Sequence, residues 1–254
     1  MPLTCEEPSV KQFWIVSGLV VAALGGSALI VAGGAFLGQN DSASTQRQQD
    51  MPWQVQTQAD GSSRVLGLTL HPESGRSSTL ADVQQRWGDA VQIAIVATPK
   101  ETGNLEAYVD PMQAGFISGK AIITAHLPAE LIQAMRDRAI KTEFMGGTTR
   151  KSTLSPADLS TALQAHITSV SFIPSANLDE DVILARFGKP AQRIRSNGHL
   201  EHFLYPEKGL DLTLDSEGKE LLQYVAPAQF EKLRQPLQAA QSAASGISAP
   251  DNAP

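Results

Sequence analysis

The chain has 254 residues, 42% of them hydrophobic and 18% charged, with a formal net charge of −6. That composition is ordinary for a folded protein with room for one large domain or two small ones, and its acidic balance excludes the basic footprint that general nucleic-acid binding needs. Cys5 is the single cysteine, which excludes an internal disulfide and a cysteine-based metal cluster.

Residues 1–12 read as a short cytoplasmic N-terminus. From Phe13 to Leu37 the sequence "FWIVSGLVVAALGGSALIVAGGAFL" contains no charged residue. As a helix this run extends roughly 37 Å, enough to cross a hydrocarbon core of about 30 Å. It reads as one transmembrane helix. The rival is a cleaved signal peptide, whose apolar region is normally about 7–15 residues and whose small-residue cleavage site "AGGAFLG" would imitate. Lys11 on the N-terminal flank favours a cytoplasmic N-terminus, so the expected location is a bacterial inner membrane, single-pass, with the bulk of the chain periplasmic. Gly18, Ala22 and Gly26 lie four apart, as do Gly34 and Gly38; that spacing lets a second helix approach and would allow a homodimer through the membrane helix, although such residues are common in membrane helices anyway. Residues 38–58 form a polar linker, and residues 238–254, small and proline-ended, a disordered tail.

The body repeats itself. "VLGLTLHP", ending at Pro72, pairs with "ITSVSFIP", ending at Pro174, each an extended apolar run stopped by proline. A helix follows in each copy. Thr79 caps "LADVQQRWG" with Asp82 in the first turn, and Asn177 precedes "LDEDVILARFG" with Glu180 in the matching place. Leu80, Val83 and Trp87 share one helical face, as do Ile183 and Phe187, and Gly88 and Gly188 end the two helices. "GNLEAYVDP" from Gly103 then matches "GHLEHFLYP" from Gly198, within four expected strands per copy. Lys120 and Lys219 each stand eight residues before a proline, Pro128 or Pro227. The expected fold class is α+β: an N-terminal transmembrane helix followed by two tandem helix-plus-antiparallel-sheet units, at 59–140 and 165–237. The connector 141–164 carries the Gly146-Gly147 turn and a helix capped by Ser155, Pro156 and Asp158.

"EDVILARFGKPAQRI", and more weakly "LADVQQRWGDAVQIA", resembles the helix-Gly-Pro-strand signature of the SmpA/OmlA family, the small lipoprotein of outer-membrane β-barrel assembly. The tandem plan is similar to the wider superfamily that includes β-lactamase inhibitor protein. The chain departs from the family in lacking its lipid-anchoring cysteine and in having Asp89-Ala90 where the second copy has Lys189-Pro190. The resemblance implies an envelope protein that works by contact.

No residue set reads as catalytic, cofactor-binding or metal-binding, and the chain is read as a non-enzyme. In "HLEH", His199 and His202 flank Glu201, but strand alternation sends the two imidazoles to opposite faces. "GGTTRKST" lacks the spacing of a phosphate-binding loop, and no serine occupies a G-x-S-x-G elbow. Arg186, Lys189, Arg193 and Arg195 form the densest basic patch, either a solvated face or a docking surface for an acidic partner or anionic headgroups. The expected function is a protein-protein binding or scaffold module of the cell envelope, using sheet faces or edges. The alternative is an envelope-polymer hydrolase in which Glu106 and Glu201 converge in a cleft between the two units.

Overall fold

The computed structural model describes residues 50–246. The run 13–37, with Gly18, Ala22, Gly26, Gly34 and Gly38, lies outside those residues; among the described residues no helix is long and apolar enough to cross a membrane.

The short strands β1 (Gln56–Thr57), β2 (Ser63–Val65) and β3 (Leu68–Leu70) make a three-stranded sheet. Helix α1 (Leu80–Trp87) follows, started by a reciprocal capping box between Thr79 and Asp82 and stopped at Gly88, where φ is 54°. Next come β4 (Val91–Ala97), β5 (Asn104–Ala114), β6 (Ile117–Ala125) and α2 (Ala129–Asp137). The connector is a hairpin, β7 (Lys141–Gly146) and β8 (Thr149–Thr153), leading into α3 (Pro156–Leu163), whose Ser155 cap accepts from the Asp158 N–H. The second half runs β9 (Ile167–Pro174), α4 (Glu180–Phe187), β10 (Gln192–Arg195), β11 (Leu200–Tyr205), β12 (Leu210–Asp215), β13 (Leu221–Tyr224) and α5 (Glu231–Gly246). Asp179, not Asn177, caps α4, accepting from the Val182 N–H at 2.8 Å.

The expectation of two tandem units is overturned. All ten strands from β4 onward form one antiparallel sheet in the order β10-β11-β12-β13-β9-β6-β5-β4-β8-β7. The joint is the pairing of β6 with β9, which runs from Gly119↔Pro174 to Ala125↔Ile167. A single apolar core crosses it, taking in Leu80 and Val83 of α1, Met135 of α2, Ala162 of α3 and Phe187 of α4 together with Leu105, Ile123, Phe172, Phe203 and Tyr224.

The halves also differ in strand count. Pro206 opens a 3-10 turn that ends β11, whereas Pro111 lies within β5, at a register shift between Val109 and Met112. A proline has no N–H for the ladder, but a bulge asks for none there. "GFIS" and "KAIITAH" then form the single strand β6 rather than two, so the first half has three of the four expected strands. β6 therefore runs in the opposite sense, relative to the helix-following strand of its half, from β13.

The ends of the described chain are tied in. Tyr224 Oη donates to the Pro52 carbonyl at 2.8 Å, and Trp53 packs edge-on against Phe187 at 6.2 Å. Helix α5 extends through Gln238–Gly246, where the sequence reads as tail. It covers the sheet face opposite α1–α4, packing Leu233 and Leu237, together with Phe230 just before it, on Ile194 and Leu204.

Candidate functional site

Strand alternation sorts the first half's side chains onto two faces. Ile95, Leu105, Ala107 and Ile123 go to the core. The other face takes Gln92, Ala94 and Val96 from β4, Glu106 and Tyr108 from β5, Ile122 from β6 and Lys151 from β8, in register as Ala94↔Glu106, Tyr108↔Ile122 and Val96↔Lys151. With Met145 of β7 these residues line a cleft of about 160 Å³.

Glu106 sits in this cleft without an ion pair or a side-chain hydrogen bond among the described residues. Apolar surroundings penalise the charged carboxylate, and its pKa is pushed up from 4.5 to about 7. Lys151 is turned to Gln92, donating to Oε1 at 3.1 Å. Tyr108 donates to Asp110 at 2.8 Å, and Lys120 pairs with Asp110 at 3.2 Å, which makes a polar rim. A carboxyl poised near neutrality in an apolar cleft can accept a hydrogen bond or take up a proton from a bound group.

Beside the cleft β7 ends the sheet, paired on one side only among the described residues. Apart from half-buried Met145 its residues are exposed, Phe144 at 70%, as is neighbouring Ile140 at 66%. A strand with one unpaired ladder edge and large exposed apolar side chains is a template for another extended chain.

The sequence-derived site residues fall elsewhere. Arg193 is clamped by Glu180 at 2.7 Å and by Glu201 at 2.9 Å, Arg195 reaches Glu201 at 3.3 Å, and Arg186 lies over the Trp53 ring at 5.0 Å. Arg193, and after it Arg195, hold the Glu201 carboxyl below its usual range. Two of the four basic residues thus meet their acidic partners within the chain, and Lys189 is exposed. His199 pairs with Asp215 at 2.9 Å and buried His202 with Asp211 at 2.9 Å; among the described residues no group of three His, Cys, Asp or Glu is arranged to hold a metal ion. Glu106 and Glu201 do not converge. They belong to β5 and β11, five steps apart in the strand order, or about 24 Å at the usual strand spacing, and alternation puts them on opposite faces.

The cleft has one legible signal that the sequence reading passed over. "IAIVA" in β4 is apolar at every position, as in a strand covered on both faces. The β7–β8 hairpin was hidden because its "EFMGGTTRKST" is short, polar and glycine-centred. Comparison with protein-family models, with curated proteins and with solved structures gives no match.

Proposed function

We propose that this chain is a membrane-tethered interaction module of the bacterial envelope, which takes an extended segment of a partner protein along the free edge of β7. The observation that carries this reading is the coincidence of an unpaired end strand, the exposed Phe144 and Ile140, and the adjoining Glu106 cleft. Main-chain hydrogen bonds to β7 supply affinity, and alternate side chains of the segment enter the cleft to supply selectivity. The uncharged run 13–37 supports the tether, with the body on the periplasmic side. Partner recognition needs no cofactor.

The test is photo-crosslinking in whole cells, with the reactive residue placed at Thr142 or Phe144 and, as control, at Leu159, which is 40% exposed on α3. A discrete adduct is expected from the β7 positions and not from Leu159, and it should disappear when Thr142→Pro removes a strand N–H. Equal yields at all three positions would sink the proposal.

A further inference from the structure

The other end of the same sheet face carries a chemically ordered row of side chains. Ser196 immediately follows β10 in the turn to β11, held there by its N–H donating to the Leu200 carbonyl at 3.2 Å. It is partly exposed and lines an open groove between β10 and α5 with Gln192, Gln238 and Ser242. His202 lies behind it on β11, 5% exposed, and Asp211 deeper still on β12, 2% exposed. Register sets this order, since His202 faces Thr213 and Leu204 faces Asp211 across the β11–β12 ladder.

Hydrogen bonding fixes the roles. His202 Nδ1 stands 2.9 and 3.1 Å from the two oxygens of Asp211. An ionised carboxylate only accepts, so Nδ1 carries the proton. In the neutral ring Nε2 is then the acceptor, and the group it faces is the Ser196 hydroxyl at 3.2 Å. Thr213 Oγ1, 3.2 Å from Nδ1, adds a further polar contact on the buried side. Burial thus decreases from acid to base to hydroxyl, and the hydroxyl is the member that meets solvent. That is the arrangement in which an oriented imidazole can draw a proton from a serine as the serine attacks.

We propose that Ser196, His202 and Asp211 form a hydrolytic site for small acyl esters of hydroxyl-rich compounds. The groove is walled by amides and hydroxyls more than by apolar chains, which suits a polar ester with a short acyl group and not a long hydrocarbon. Ser196 Oγ bonds to the ester carbonyl carbon while its proton passes to His202 Nε2. Collapse breaks the bond between that carbon and the alkoxy oxygen, and the alcohol leaves with the proton from Nε2. Water then gives a proton to Nε2 and attacks the acyl-serine; the carboxylic acid departs, and Ser196 Oγ recovers the proton. Asp211 orients the ring and offsets its transient charge throughout. The backbone N–H groups of Asn197 and Gly198, which make no hydrogen bond among the described residues, are the donors available to the developing oxyanion.

The experiment treats the full-length chain in detergent with a fluorophosphonate and locates the modified peptide by mass spectrometry. A stoichiometric adduct is expected on Ser196 and not on the ordinary serines Ser216 and Ser242, an internal control that needs no variant. Hydrolysis of p-nitrophenyl acetate by the wild type should exceed that by Ser196→Ala by about a hundredfold. Folded His202→Gln, checked by circular dichroism, should lose both signals. Absence of the Ser196 adduct, labelling spread over all three serines, or an undiminished adduct in folded His202→Gln would each overturn the proposal; if that variant does not fold, the internal control decides.

Discussion

Replacing Glu106 by Gln tests the environment of the cleft directly. Raising a carboxyl from 4.5 to about 7 means that the folded chain keeps a proton the unfolded chain gives up. At about 1.4 kcal/mol per pH decade, the rise corresponds to about 3 kcal/mol. Glu106 retains partial exposure, so water reaching its edge trims the effect, and about 1–3 kcal/mol is expected. The sign follows from proton linkage. Below 4.5 both states are protonated and stability is complete; it falls as pH rises through about 7, and the loss is finished above that. Glutamine imitates the protonated form at every pH. Urea unfolding of the full-length chain, followed by tryptophan fluorescence at pH 5, 6, 7 and 8.5, should therefore give nearly matched stabilities at pH 5 and a more stable Glu106→Gln chain at pH 8.5. Taking the difference between the two chains cancels the other titrating groups. Parallel curves, or an advantage of the variant that grows toward acid, would refute the reasoning.

Three other substitutions probe the fold. At Gly119 an added Cβ would lie 2.4 Å from the Ile173 carbonyl oxygen and 2.6 Å from the Phe172 ring, so Gly119→Ala should force β6 and β9 apart and cost about 1–3 kcal/mol; an unchanged melting temperature would show that the joint is looser than its geometry. Thr79→Ala removes half of the α1 capping box and should cost about 1 kcal/mol in urea unfolding, with Thr79→Ser restoring most of it. Arg193→Ala breaks contacts to Glu180 and Glu201 at a site where Arg193 is 38% exposed, so the expected loss is at most about 1 kcal/mol, read from the same unfolding curves and reduced further by salt.

Local signals in this chain were legible, and long-range ones were not. Thr79, Ser155, Gly88 and Gly188 act where they stand because a cap or a stop is decided within one helical turn. The duplication failed as a guide because equal letters took unequal conformations. Lys120 lies inside β6 and pairs with Asp110. Its counterpart Lys219 lies in the turn before β13 and donates to the Ser175 carbonyl at 2.9 Å. Which of the two an Ile-Ser-Gly-Lys or a Ser-Glu-Gly-Lys adopts is settled by the hairpin before it, and that in turn by whether a proline is absorbed as a bulge or ends the strand. The pairing of β6 with β9 joins residues about fifty positions apart, and no local pattern encodes it.

The two candidate sites share one face of one sheet, and the difference between them follows from what covers that face. Over β10 and β11 the apolar pair Ile194 and Leu204 is closed by Leu233 and Leu237 of α5 and by Phe230 just before it. Closure buries His202 and Asp211 together, a burial that an unpaired carboxylate would resist and that their mutual hydrogen bonds make tolerable. Over β4 and β5 no helix intervenes among the described residues, so Ala94, Val96 and Ile122 leave an apolar cleft in which Glu106 has no ion pair or side-chain hydrogen bond among those residues. A sheet ten strands wide has more second face than one sixteen-residue helix can cover. The covered end has become a closed polar network with one hydroxyl at its mouth, and the bare end has kept the features of a surface that another chain completes.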